Sequence, residues 1–137
     1  MLKQTLQQTI KTLNSLIDIT KEDIKNIKEA NHNAVFANMQ TKEDLAIKFS
    51  ELKSKIDSIL VARNKPLEEI FTKEEEQLFD EFRNKLFEFH SLHKRYSKLA
   101  LSVANFYNTL WQQITQREGP VTYEKSTYSD SKLQLKA

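Results

Sequence analysis

Apolar residues stand at Leu2, Leu6, Ile10, Leu13, Leu16, Ile17, Ile24 and Ile27. At 100° per residue they fall in one sector, with Lys, Gln, Asp and Glu outside it, which predicts an amphipathic helix over about 2–30. Asn31-His32-Asn33 interrupts this pattern with weak helix formers that compete for local hydrogen bonds. Leu45, Phe49, Leu52, Ile56, Ile59 and Leu60 predict a second helix over about 41–63. Thr41 with Asp44 resembles a capping box at its start, and Asn64-Lys65-Pro66 ends it because proline disfavours α geometry in the residue before it. Leu67 to Phe71 reads as a connector. Thr72 with Glu75 forms a stronger capping box, and Glu74, Glu75 and Glu76 complement the positive end of a helix. Leu78, Phe82, Leu86, Phe89, His93, Tyr96, Ala100, Val103, Tyr107, Leu110 and Ile114 then recur at threes and fours, predicting a long third helix over about 72–117. Gly119-Pro120 is a stop signal, and the aperiodic polar run over 118–137 reads as a flexible tail behind a helical bundle of 1–117.

At ~1.5 Å per residue the third helix spans roughly 65–70 Å, and a rod of that length must lie along other helices. Two elongated, coiled-coil-like, all-α arrangements fit. In one, the first two helices turn back at Asn31 to Asn33 and form an antiparallel three-helix bundle with the third. In the other they run on as one kinked rod and make a long helical hairpin, an option kept open by the nearly continuous apolar sector through Ala34 and Asn38. The bundle is the favoured of the two.

Composition removes other classes. The 137 residues hold one Gly and no Cys. There is no Gly-rich phosphate loop, dinucleotide fingerprint or nucleophile elbow, and no disulfide framework, thiolate zinc site or Cys nucleophile. The longest apolar runs, Ala34 to Ala37 and Ile59 to Ala62, have four residues, far short of the ~18 of a membrane span. The opening Met1-Leu2-Lys3-Gln4-Thr5 lacks the apolar core of a secretory signal. The expectation is a cytoplasmic protein with no membrane insertion.

Candidate chemistry is sparse. His90 and His93 stand at i, i+3, but Phe87 occupies the place where a carboxylate-bridged metal site would have Glu, and the one other histidine is His32. A surface histidine and a histidine on the packing stripe account for the pair. Solvated acids on slim helices offer no dry concave pocket for acid–base catalysis. Lys94, Arg95 and Lys98 around Tyr96 form a basic cluster, yet the net charge of the chain is only +2, and nucleic-acid binding needs a broader positive stripe. The reading is therefore not an enzyme: no catalytic residue, no metal, no cofactor and no nucleic-acid partner.

One feature stands apart. Between Leu99 and Ile114 the apolar residues Leu99, Ala100, Val103, Ala104, Phe106, Tyr107, Leu110, Trp111 and Ile114 cover about 160° of the helix surface, against the ~100° stripe that a core-facing helix needs. Leu101 lies beyond even that sector, and the intervening Ser102, Asn105, Asn108, Gln112 and Gln113 are uncharged. Excess apolar surface of this kind marks a binding face. It serves a partner protein or, alternatively, a second copy in a homodimer or self-associating adaptor coiled coil, or else the third helix simply buries more of its own surface. Burying Phe106 and Trp111 against a partner contributes on the order of 1.5–3 kcal/mol each.

Three stretches resemble the FlgN family of flagellar type III export chaperones. The opening helix is followed, after a polar interruption, by Gln40-Thr41-Lys42-Glu43-Asp44-Leu45 and Leu52, where the family has a Lys-Glu then Leu run. Leu101 to Ile114, with Asn105, resembles the family's last helix, and Pro120-Val121-Thr122-Tyr123 resembles its Pro-x-x-Tyr-like step. The resemblance implies a cytoplasmic chaperone that binds the amphipathic C-terminal helical region of the hook–filament junction proteins FlgK and FlgL. It would prevent their premature assembly and deliver them to the export gate protein FlhA. Carried onto this chain, the cargo-binding residues are Leu99, Val103, Phe106, Tyr107, Leu110, Trp111 and Ile114. The gate contact is Tyr123, with Tyr128 the alternative, because Glu124-Lys125-Ser126 stands where the family often has Gly.

Overall fold

A computed structural model describes residues 1–116. Three helices make up the described chain: α1 (Leu2–Lys28), α2 (His32–Arg63) and α3 (Lys73–Gln116). The fold is an all-α helical bundle, and among the described residues there is no strand. The chain divides into two units, Met1–Leu92 and a second that starts at His93.

In the first unit the chain turns back between α1 and α2. The reversal is a Schellman motif: the Ala30 N–H donates to the Ile27 carbonyl at 3.1 Å and the Asn31 N–H to the Asn26 carbonyl at 2.7 Å. Ala30 takes the left-handed conformation there, with φ 57°, a position that glycine fills more easily. Of the two expected arrangements, the turned-back bundle is the one formed, and the continuous kinked hairpin is not. The second helix also begins at His32, well upstream of the expected start at 41, so Thr41 and Asp44 lie inside α2 and do not cap it. The break is confined to Glu29, Ala30 and Asn31; Ala34 to Gln40 continue as helix, and Asn38 and Lys42 tie it to α1, as described below.

α2 ends at Asn64, whose left-handed backbone (φ 45°, ψ 47°) precedes Lys65-Pro66. Asparagine tolerates this geometry, and the proline blocks continuation. The start of α3 carries the expected capping box: the Thr72 N–H donates to Glu75 Oε1 at 3.0 Å and the Glu75 N–H to Thr72 Oγ1 at 3.3 Å.

The core of the first unit joins Leu2, Leu6, Ile10 and Leu13 of α1 to Ile56 of α2 and Phe82 of α3. Phe49, Ile59, Leu60, Phe71, Leu78, Phe79, Leu86 and Phe89 pack around them. Ring contacts run from Phe71 to Phe79 (4.8 Å), Phe79 to Phe82 (5.8 Å) and Phe82 to Phe49 (6.4 Å). Ion pairs from Lys3 to Glu74 (3.0 Å) and from Lys21 to Glu88 (3.8 Å) run α3 parallel to α1 here, and α2 runs antiparallel to both.

α1 is the most enclosed helix. Beside its apolar stripe, Thr5, Thr9, Thr12 and Thr20 are buried. Each returns its hydroxyl to the carbonyl four residues earlier, at 2.6 to 2.9 Å, so no donor is stranded. Threonine presents a methyl to its neighbours once the hydroxyl is satisfied in this way. The buried sector of α1 therefore widens to roughly 160°, as a helix covered from two sides requires. Among the described residues no buried side-chain nitrogen or oxygen lacks a hydrogen-bond partner. No described helix is long and apolar enough to cross a membrane.

Candidate protein-binding face

The residues predicted to bind a partner lie in the second unit, on α3 between Leu99 and Ile114. A helix forms here because Leu, Ala and Gln favour it and the sequence holds neither Gly nor Pro from Leu99 to Gln116. Ser102 is made compatible by returning its hydroxyl to the Lys98 carbonyl at 2.9 Å, and Thr115 does the same to Trp111 and Gln112 at 3.0 and 3.1 Å.

The face is open to solvent. Phe106 is 64% exposed, Trp111 53%, Tyr107 52%, Ile114 47% and Leu110 42%, while Leu99 and Val103 are half-buried. The helix brings all seven onto one broad face, since they recur at threes and fours. Phe106 and Tyr107 meet edge-to-face at 5.6 Å with their planes at 73°, an arrangement that suits ring quadrupoles. With aromatic side chains of 150–250 Å² each, the exposed portions of these five amount to on the order of 400–500 Å² of largely apolar surface. That is as large as the largest patch on a typical monomer, and such patches are often functional.

The electrostatics of this face are those of an uncharged surface. No Asp, Glu, Lys or Arg occurs from Leu99 to Gln116. Lys94, Arg95 and Lys98 precede it, all exposed. Tyr123, the expected gate contact, and the tail over 118–137 lie outside the described residues.

Elsewhere, His93 stacks on Tyr96 at 6.1 Å. Among the described residues no three His, Asp or Glu side chains converge as metal ligands would.

Two features escaped the sequence reading. α2 carries a second exposed apolar stripe, Phe36, Met39, Ile47 and Val61, opposite the inner face that holds Phe49, Leu52, Ile56 and Ile59. Its signal was available, because α2 has apolar residues on both sides. The other is a buried polar set between α1 and α2. Asp23 is fully buried and accepts from Asn38 Nδ2 and Lys42 Nζ, both at 2.9 Å. Periodicity placed Asp23 with the solvated residues; nothing in the spacing alone distinguishes a buried carboxylate from an exposed one.

No protein-family model, no curated protein and no solved structure matches this chain.

Proposed function

We propose that this chain is a cytoplasmic export chaperone of the FlgN kind, which holds the amphipathic C-terminal helix of a FlgK- or FlgL-like hook–filament junction protein. The observation that supports it is the exposed, uncharged apolar face centred on Phe106, Leu110 and Trp111. An unassembled amphipathic helix aggregates through its own apolar stripe, and a helix-in-groove contact covers that stripe without any chemistry on the cargo. The contact is of finite strength, tight enough to prevent aggregation and loose enough for handover. The tail, through Tyr123, then engages the export gate.

The test is titration of the full chain with the C-terminal helical region of a FlgK- or FlgL-like subunit. Trp111 is the sole tryptophan, so its emission reports directly on the face. A saturable blue shift with a matching heat of binding supports the proposal. An unchanged spectrum, together with a stable oligomer that hides Phe106 and Trp111, favours a self-associating adaptor coiled coil instead.

A further inference from the structure

We propose that two copies of this chain exchange α1. The turn between α1 and α2 straightens, residues 2–63 become one helix, and each α1 packs on α2 and the start of α3 of the other copy. The partner is a second copy, held by the contacts that close the hairpin within a single one.

The turn has a sequence that permits helix. No Gly or Pro occurs from Met1 to Lys65, and Glu29, Ala30 and Asn31 are all that separate α1 from α2. The α2–α3 connection differs, because Pro66 blocks its continuation and Arg63 is bonded to Glu75 across it. The α1–α2 turn is also weakly held. Ala30 has φ 57°, a conformation that is costly for a residue with a Cβ and is relieved in a helix. Asn31 makes no side-chain hydrogen bond that caps α2, and no acid stands in the first turn of α2. The two hydrogen bonds from the Ala30 and Asn31 N–H groups are replaced by helical ones on straightening.

The packed positions keep their phase through this turn. From Ile17 the inward positions step by threes and fours to Ile27, and the same steps run on through Asn31 and Ala34 to Asn38. After one repeated step of four they continue in the same way from Lys42 to Ile59. Every position in this series is buried or half-buried except Asn31, which lies in the turn itself. A hairpin imposes no such relation, since its turn can leave the second helix at any rotation. Threes and fours are the spacing of helices that pack along a continuous seam, and one repeated four only unwinds that seam locally. Asp23 accepts from both Asn38 and Lys42, so α1 and α2 mirror each other about a point beside Asn31. A second copy turned about that point offers each α1 the α2 it already fits, and the Asp23 contacts re-form between chains.

The experiment uses the full chain with Lys11→Cys and Ser54→Cys, both exposed positions in a protein with no Cys of its own, each spin-labelled. Labelled chain is mixed with an excess of unlabelled chain, unfolded in urea and refolded at millimolar concentration, so that α1 can leave one core for another. Monomer and dimer are then separated by gel filtration. Within one copy the two labels stand about 20–25 Å apart across a hairpin, two helix diameters, and roughly 65 Å apart along a continuous helix. The dimer is expected to show the long distance and the monomer the short one. Trp111 emission is expected to be the same in both, which separates exchange from self-association through the α3 face. Ala30→Gly accepts the left-handed turn and weakens a continuous helix, so it is expected to lower the dimer association constant about a hundredfold. A dimer with the short distance overturns the exchange and assigns the contact to intact hairpins side by side. The absence of any dimer after refolding overturns it as well, as does an Ala30→Gly chain that dimerises as strongly as the parent.

Discussion

Arg63, at the end of α2, grips Glu75, in the first turn of α3, through two parallel hydrogen bonds, Nη1 to Oε1 and Nη2 to Oε2, each 2.6 Å. The same guanidinium donates to the Ile70 carbonyl at 2.7 Å, and Glu75 Oε1 also accepts the Thr72 N–H. One carboxylate therefore caps α3, closes the α2–α3 connection and neutralises Arg63. The bidentate geometry makes this stronger than an ordinary surface pair.

The first prediction concerns acid. The Arg63 hydrogen bonds hold the Glu75 carboxyl down to about 2 from 4.5; burial opposes them and the Thr72 backbone N–H assists. A depressed carboxylate stabilises the fold above its unfolded value, and the contribution is lost as pH falls through the folded one. Stability is therefore expected to decline between pH 4.5 and about 2, by up to about 3 kcal/mol from this group. Glu75→Gln is expected to lose on the order of 2–3 kcal/mol at neutral pH and to respond less across that window. Urea unfolding as a function of pH measures both.

The buried Asp23 between α1 and α2 gives the second. Lys42→Met leaves the carboxylate enclosed with only Asn38 as partner, and an uncompensated buried charge costs about 3–5 kcal/mol. Asp23→Leu with Lys42→Met removes both charges, and much of the loss is expected to return. A double variant no more stable than Lys42→Met alone would show that the ion pair is not what matters at this site. Chemical denaturation of the single and double variants decides it.

How far the sequence foretold this structure depends on the residue. The stripe Leu2, Leu6, Ile10, Leu13 was readable because a 3.6-residue period and burial say the same thing, and Thr72 with Glu75 was readable because a capping box is a local chemical motif. The start of α2 was misplaced because Asn31-His32-Asn33 looks like a long break, when Asn31 closes a Schellman turn and the helix resumes at once. This part of α2 is tied to α1 by Asn38 and Lys42 reaching Asp23, across 15 and 19 residues of chain, and no local pattern reports a contact of that separation. Arg63–Glu75 was hidden for the same reason: the capping role of Glu75 was visible, its second partner was not. The exposed apolar face of Phe106, Tyr107, Leu110, Trp111 and Ile114 was legible because an apolar surplus needs no knowledge of tertiary contacts to be noticed.

A third prediction separates the tail from the face. Deleting residues 118–137 is expected to leave partner-helix binding within about twofold, since a change of ~0.4 kcal/mol or less is typical where no anchoring residue is lost. Secretion of the cargo from a flagellated cell, by contrast, should fall sharply. If the truncated chain no longer binds the helix, the division between a binding helix and a gate-contacting tail is wrong.

The last prediction weighs the face against the core. Phe106 is 64% exposed and Leu110 42%, so neither supports much packing, and Phe106→Asp with Leu110→Asp is expected to keep helical circular dichroism close to that of the parent. Leu6, fully buried in the core cluster, is the contrast: Leu6→Ala is expected to cost about 2–5 kcal/mol because it loses transfer energy and leaves a cavity. The two variants should therefore exchange phenotypes. The double Asp variant folds and fails to bind, because each carboxylate sits where an apolar partner would have to desolvate it. Leu6→Ala unfolds more readily and, while folded, binds as the parent does. Thermal melts and Trp111 titrations on the same samples read both properties. A large loss of helix in the double Asp variant would mean that Phe106 and Leu110 hold this chain together and are not kept for another.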